Sequence, residues 1–472
     1  MGLKIHNTLT GSKETFVPVK TGEARMYVCG VTVYDQCHVG HARALVFFDV
    51  VFRYLRFLGY QVTFVRNFTD LDDKIIQKAR AEGTTAAKIA ERYIGEFYKD
   101  AAALGLLSPS REPRATDHIP EMIALIRVLE EKKIAYRVDG DVFFAVDRFS
   151  GYGKLSRKKL DELEAGARVE VDERKKSPMD FALWKASKEG EPSWESPWGR
   201  GRPGWHIECS AMSTKYLGET FDIHGGGRDL IFPHHENEIA QSEAASGVPL
   251  ARTWVHNGFV NINQEKMSKS LGNITTIREI LGRHDSGTLR HYLLSSHYRS
   301  PVDFSEQGLE EAGRGVERIY ETLDRLEQAL PAGRENGIEP DAALLADFCR
   351  EMDDDFNTPR ALALLFEEVR GLNRVLVGGK TAGLSKRSAA LKAMGKMLGL
   401  LQEKPAAFLE RKKESWVQGR GLSPGAVEEL IRARDQARSE RRWQEADRIR
   451  DELKEKGVTL EDTPGGTVWK VR

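Results

Sequence analysis

Cysteine is scarce in this chain: 4 in 472 residues, at Cys29, Cys37, Cys209 and Cys349. Thiols this few and scattered do not form the disulfide framework of a small secreted domain. An excess of one charge sign is lacking too, since 71 Lys and Arg balance 71 Asp and Glu. Any contact with nucleic acid must then come from local basic faces instead of a global field. No uninterrupted apolar run reaches the length of a bilayer crossing. Met1–Thr10 lacks the apolar core of a signal peptide. The expectation is a cytoplasmic protein without membrane contact. At 472 residues it exceeds one ordinary domain, so three or four units are expected.

What is present is organised around Cys29-Gly-Val-Thr-Val-Tyr-Asp-Gln-Cys-His-Val-Gly-His41. The apolar run 24–28 before it reads as a buried strand, and 42–58 after it is long enough for a core helix. A loop delivered by a strand onto a helix N-terminus can hold phosphate, because free N–H groups and the helix dipole converge there. Residues 60–66 form a second strand-like run, which completes a βαβ unit and points to a parallel sheet. Helical patterns cover 74–81, 86–104 and 120–133. From residue 134 the texture changes to short β-like runs rich in Gly, Lys and Glu, which marks an insertion at about 115–200. A helix over 207–217, a strand over 220–224 ending in Gly225-Gly-Gly227, a helix over 237–245 and a strand over 253–262 resume the sheet's rhythm. Lys266-Met-Ser-Lys-Ser270 follows as an exposed segment. Beyond Ser305 the periodicity is helical, over 306–330, 342–352, 359–377 and 385–401. A Lys/Glu-rich hinge is expected at 403–415. Ser423-Pro424 then starts further helices, and a β-like tail closes the chain from Gly457.

On four residues, His38-Val-Gly-His41 says little, because two histidines at a helix start are as easily local caps. Lys266 and Lys269, taken alone, are a solvated surface pair. Together they make chemical sense. Attack of a carboxylate on the α-phosphate of ATP is catalysed mostly by positioning and charge stabilisation, which imidazoles and lysines supply. Gly40 would let a flat nucleotide lie against the backbone. The pair of motifs resembles the class I aminoacyl-tRNA synthetases. Longer matches narrow the resemblance to the cysteinyl-tRNA synthetase family: Asn67-Phe-Thr-Asp-Leu-Asp-Asp-Lys74, Trp205-His-Ile-Glu-Cys-Ser-Ala-Met212, Asp222-Ile-His-Gly-Gly-Gly227, Phe232-Pro-His-His-Glu-Asn-Glu238 and Lys266-Met-Ser-Lys-Ser-Leu-Gly-Asn273. Val39 stands where the family's signature has isoleucine, a substitution between β-branched apolar residues.

This resemblance implies an α/β fold: a Rossmann-like parallel-sheet catalytic domain over 1–115 and 201–265, interrupted by an insertion over 116–200. A lysine-motif and stem-contact region (266–315), an all-α bundle (316–404) and a C-terminal anticodon-recognition domain (405–472) follow. It implies activation of L-cysteine with ATP and transfer to tRNA(Cys), with His38, His41, Lys266 and Lys269 catalytic. Gly40 and Asp229 join His38, His41 and Lys269 at the nucleotide, Asp229 holding its ribose. Thr69 and Trp205 flank the substrate cysteine. One zinc ion on Cys29, Cys209, His234 and Glu238 and Mg2+ carried with ATP are the implied metals, in a monomer. His235, three residues before Glu238, stays open as a rival ligand. Arg432, Arg434, Arg438, Arg441 and Arg442, with Trp443 among them, make a basic, aromatic-bearing face suited to an anticodon loop; a merely solvated helix would look similar. Two rivals stand beside this reading: a ligase joining cysteine to a small amine such as a sugar amine, and a catalytically silent RNA-binding relative.

Overall fold

The computed structural model describes residues 2–157, 172–262, 265–266, 274–330, 338–378, 383–419, 423–463 and 466–471. Its centre is a parallel sheet of β1 (Glu23–Val28), β2 (Gln61–Arg66), β3 (Phe221–Gly227) and β4 (Ala251–Asn257), in the spatial order β4-β3-β1-β2. Helix α1 (Val39–Phe57) crosses from β1 to β2. Helix α2 (Trp205–Leu217) precedes β3, and α3 (Glu236–Ser246) links β3 to β4. From β1 the chain moves outward to β2 on one side, while the second half places β3 on the other. Neighbouring connections therefore diverge above the carboxyl ends of β1 and β3, where open α/β sheets bind ligands.

Helix α1 is buried along most of its circumference, from Val39 through Val46, Val50 and Leu55. A helix apolar all round belongs inside a core. Its first turn is thereby held rigidly at the crevice. The strand expected over 253–262 is instead broken at Gly258: β4 ends at Asn257, and Val260–Ile262 joins a small separate sheet with Glu265–Lys266 and Val302–Phe304. At the break the chain passes close to another segment, which only glycine allows. A Cβ at Gly258 would lie 2.5 Å from the Ser300 carbonyl oxygen, closer than any side chain tolerates.

The insertion is a four-stranded antiparallel sheet of Ala135–Val138, Asp141–Phe144, Phe181–Ala186 and Gly201–Pro203, beside helix Ile119–Glu131. It shares one apolar core with the main sheet, in which Trp184 and Phe144 pack in the same cluster as Tyr27, Val65 and Trp254. On the other face, α1 shares a core with the helices Glu306–Ala329, Ala342–Met352, Thr358–Val377 and Leu384–Met397. The hinge expected at 403–415 is not a hinge. Pro405–Gln418 is a helix, started by Pro405 in its first turn. Phe408 stacks on Tyr320 at 3.8 Å between centroids and Lys412 pairs with Asp285 at 3.0 Å, so its first half is fixed to the body. Its far end contributes Val417 to a small separate core with Val427, Ile431, Ile449, Leu453 and Trp469. That core unites the helices Pro424–Ser439 and Trp443–Glu455 with the hairpin Val458–Thr463/Gly466–Val471. Among the described residues no helix is long and apolar enough to cross a membrane.

Candidate active site and metal centre

His38 is the N-cap of α1, in extended backbone, and its ring stacks on that of His41 with centroids 3.7 Å apart. The His38 backbone N–H donates to Nδ1 of His41 at 3.2 Å. That acceptor role places the proton of a neutral His41 on Nε2, the nitrogen suited to donate to a phosphate oxygen. The chain just after the lysine motif meets this turn. Val39 N–H donates to Thr275 O at 3.0 Å, and Ile277 N–H donates to Cys37 O at 2.9 Å. Upstream, the Lys266 backbone is paired with Asn261. Lys269 lies outside the described residues. A cavity of about 420 Å³ occupies the crevice at the carboxyl ends of β1 and β3, lined by Cys29, His38, Gly40, His41, Trp205 and Asp229 among others.

At its inner end is a compact set of donors. Cys29 Sγ lies 3.6 Å from Cys209 Sγ, 3.5 Å from His234 Nε2 and 3.3 Å from Glu238 Oε1. His234 Nε2 and Glu238 Oε1 are 3.0 Å apart. A tetrahedral ion with ligands 2.0–2.3 Å away would separate its donors by about 3.3–3.8 Å, so two thiols, an imidazole and a carboxylate close to this spacing fit zinc chemistry. The four come from different places: Cys29 follows β1, Cys209 is on α2, His234 lies in the turn Ile231–His235 and Glu238 is on α3. Cys209, His234 and Glu238 are buried.

The rival histidine is also close. His235 Nε2 is 3.3 Å from Cys29 Sγ, so Cys29, His224, His235 and Glu238 form a second possible donor set. The hydrogen bonds around the two sets favour the first. His224 Nε2 sits 2.8 Å from the outer oxygen of Glu238, and His206 Nδ1 sits 2.9 Å from His234 Nδ1. These contacts leave Glu238 Oε1 and His234 Nε2 aimed at the thiols, as outer partners of metal ligands do. His235 instead turns Nδ1 to His256 at 2.8 Å, which in turn reaches Thr8. Gly226 makes room for it, since a Cβ there would lie 2.8 Å from the His235 ring.

The donors of the first set also shift one another's charge. Burial pushes the Cys209 thiol up, but hydrogen bonds from Cys29 and His234 bring it down to about 6. Burial opposes charge on His234 as well, yet the Glu238 carboxylate outweighs it and raises the imidazole to about 10. Burial is the largest influence on His256 and, with the charges of His224 and Arg228 adding to it, lowers it to about 3. His206, His224 and His256 were not singled out in the sequence, although the first two lie inside motifs quoted for other residues. Replacing His224 with alanine is expected to weaken metal affinity by about 10–100-fold while leaving the fold intact, measured by competition with a chromogenic chelator.

Residues 15–314 match the description "tRNA synthetases class I (C) catalytic domain", residues 347–402 a "DALR domain" and residues 420–469 a "Cysteinyl-tRNA ligase anticodon binding domain". Proteins named cysteine-tRNA ligase from Geobacter metallireducens and Geobacter sulfurreducens are each 56% identical, with 100% of both chains covered. The chain belongs to the cysteinyl-tRNA ligase family. A cysteine-tRNA ligase from Syntrophobacter fumaroxidans is 53% identical over the same full span. The class I synthetase fold is also seen in a solved structure, Mycobacterium tuberculosis methionyl-tRNA synthetase in complex with methionyl-adenylate. It has a TM-score of 0.57 at 19% identity, covering 79% of this chain and 89% of that one.

Within this cysteinyl-tRNA ligase fold, Trp205 is 39% exposed and lies over His234 with ring centroids 4.2 Å apart. It is a cavity wall between the donor cluster and solvent, not a core tryptophan. Thr69 is buried and donates its hydroxyl to Glu208 at 3.0 Å, below the cavity floor. Asp229 is exposed at the mouth, just past the end of β3.

In the C-terminal unit the six residues expected to face RNA divide. Arg432, Arg441, Arg442 and Trp443 are exposed, Trp443 at 58%. Arg434 is the correction: it is buried and donates to both carboxylate oxygens of Asp462 at 3.0 Å each, fastening helix Pro424–Ser439 to the hairpin. A guanidinium so held has no face left for a base. Arg438 reaches the same carboxylate at 2.7 Å from a more exposed position.

Proposed function

We propose that this chain joins L-cysteine to ATP, giving cysteinyl-adenylate and pyrophosphate, and then transfers cysteine to the terminal ribose of tRNA(Cys). The observation that carries the proposal is the single cavity that opens on Cys29 and Trp205 at one end and on His38, His41 and Asp229 at the other. An amino acid whose side chain reaches the donor cluster presents its carboxylate toward the helix turn that would hold an α-phosphate.

The chain's own residues then have defined work. The first turn of α1 offers backbone N–H groups, and His41 Nε2–H faces the developing charge on the phosphate. Lys266 and Lys269 neutralise the pyrophosphate as it leaves, and Asp229 accepts the ribose hydroxyls. Trp205 covers the amino-acid end and excludes water. Cys29, Cys209, His234 and Glu238 would hold one zinc ion. Such an ion supplies a soft centre that binds a thiol in its deprotonated form and has little hold on a hydroxyl. Mg2+ enters with ATP. Every assigned residue comes from one chain, so a monomer suffices. Its substrates place it in the cytoplasm.

The exposed basic helix ends of the C-terminal unit support tRNA as the acceptor over a small amine. Ending the chain at residue 419 is expected to leave cysteine-dependent ATP–pyrophosphate exchange within about twofold while lowering tRNA charging by at least about 10²-fold, as expected if anticodon contacts contribute several kcal/mol. Loss of both activities would argue against separate modules. The cut belongs there and not at 405, because removing Phe408 from Tyr320 would itself cost about 3 kcal/mol. A silent RNA-binding relative would show no exchange at all.

A further inference from the structure

Arg43 is 2% exposed, one of the largest fully enclosed side chains in the molecule, and lies two residues past His41. Burial lowers its pKa to about 10. Among the described residues it pairs with no carboxylate, and its Nε has no hydrogen-bond partner. Its Nη2 donates instead to main-chain carbonyls: His297 at 2.8 Å, Ser296 at 3.1 Å and Ser300 at 3.5 Å. These carbonyls follow the C-terminus of helix Ser286–Leu294, where the dipole favours a cation. One turn along the same face of α1, Phe47 stacks on Tyr298 at 4.2 Å.

The gripped turn is the support of the opposite cavity wall. Gly258 N–H donates to Tyr298 O at 2.7 Å, and Gly258 packs against Ser300 O. Val302 N–H donates to Phe259 O, and the strand that follows, Val260–Ile262, pairs with Glu265–Lys266. Gly258, Phe259 and Val260 line the cavity across from His38 and His41. A buried cation without a counter-charge is a poor means of stabilisation, since its desolvation offsets what its carbonyl contacts return.

We propose that Arg43 is a positioning residue for the nucleotide step, which sets the separation between the His38–His41 turn and the Gly258–Lys266 wall. The inference rests on the ATP-dependent activation proposed above. Arg43→Met keeps the volume and removes the donors. Its exchange reaction should show a KM for ATP raised about 10–10²-fold, the scale of a small misplacement at a reacting centre, with the KM for cysteine within about twofold. Zinc content should match that of the unaltered chain. Arg43→Lys, which keeps a donor, should lie between the two and serves alone if the methionine variant does not fold. The proposal is overturned if ATP affinity by equilibrium dialysis is unchanged in the variant. It is equally overturned if both KM values rise together with a fall in melting temperature, which is the mark of a purely structural residue. Absence of cysteine-dependent exchange in the unaltered chain would refute the activity itself, whereas the dialysis result speaks to Arg43 alone.

Discussion

Cys209→Ser is expected to reduce bound zinc from one per chain to a small fraction and to lower cysteine-dependent exchange by at least about 10³-fold, equivalent to about 4 kcal/mol. The size follows from where the sulfur sits. Cys209 is 1% exposed, and hydrogen bonds from Cys29 and His234 lower its thiol toward the ionised form that a metal binds. A serine hydroxyl there stays protonated and is a hard donor, so it does not replace the thiolate on a borderline-soft ion. The same variant separates the two donor sets, because only one contains Cys209. His235→Ala is the converse: zinc should remain, since His235 is engaged with His256. Retention of zinc in Cys209→Ser with loss in His235→Ala would transfer the site to His224 and His235. Metal analysis of the two purified variants decides the matter.

The second large effect concerns the other end of the cavity. His41→Asn should lower the turnover number for adenylate formation by about 10²–10³-fold, the loss seen when one preorganised donor to a developing oxyanion is removed, or about 2.7–4 kcal/mol. Asparagine retains an acceptor for the His38 N–H, which keeps the helix start intact. The KM for cysteine and the zinc content should not move, because His41 is not among the donors Cys29, Cys209, His234 and Glu238. A variant in which cysteine binding failed as badly as turnover would contradict a site with separate ends. Pre-steady-state exchange with saturating ATP is the appropriate measurement.

Local order accounts for what could be read ahead of the structure. The strand, loop and buried helix around residues 23–57 follow from runs of apolar residues close in sequence, as do the helices of the bundle. The two ends of the cavity were legible because their ligands sit in long motifs. What was missed depends on partners far along the chain. His206, His224 and His256 acquire a role only when α2, β3 and β4 bring them against His234, Glu238 and His235. Arg434 reads as a surface cation until the hairpin presents Asp462. The segment at 403–415 has a linker's composition, and only the placement of Phe408 against Tyr320 makes it a packed helix. The break at Gly258 lies where the chain packs against the Ser300 carbonyl, which fills the space a side chain would need.

The central claim is that one cavity selects the amino acid at the donor cluster and activates it at the α1 turn. Side-chain size cannot separate cysteine from serine, since a small shape difference yields only about 1–3 kcal/mol, whereas thiol-specific coordination can reach 10⁴–10⁵, or about 5.5–7 kcal/mol. The most direct measurement is kcat/KM for ATP–pyrophosphate exchange with cysteine and with serine, on protein of known zinc content. The account predicts a preference for cysteine of at least about 10⁴-fold that tracks the zinc content. Serine activated nearly as well as cysteine by the zinc-loaded protein would contradict it.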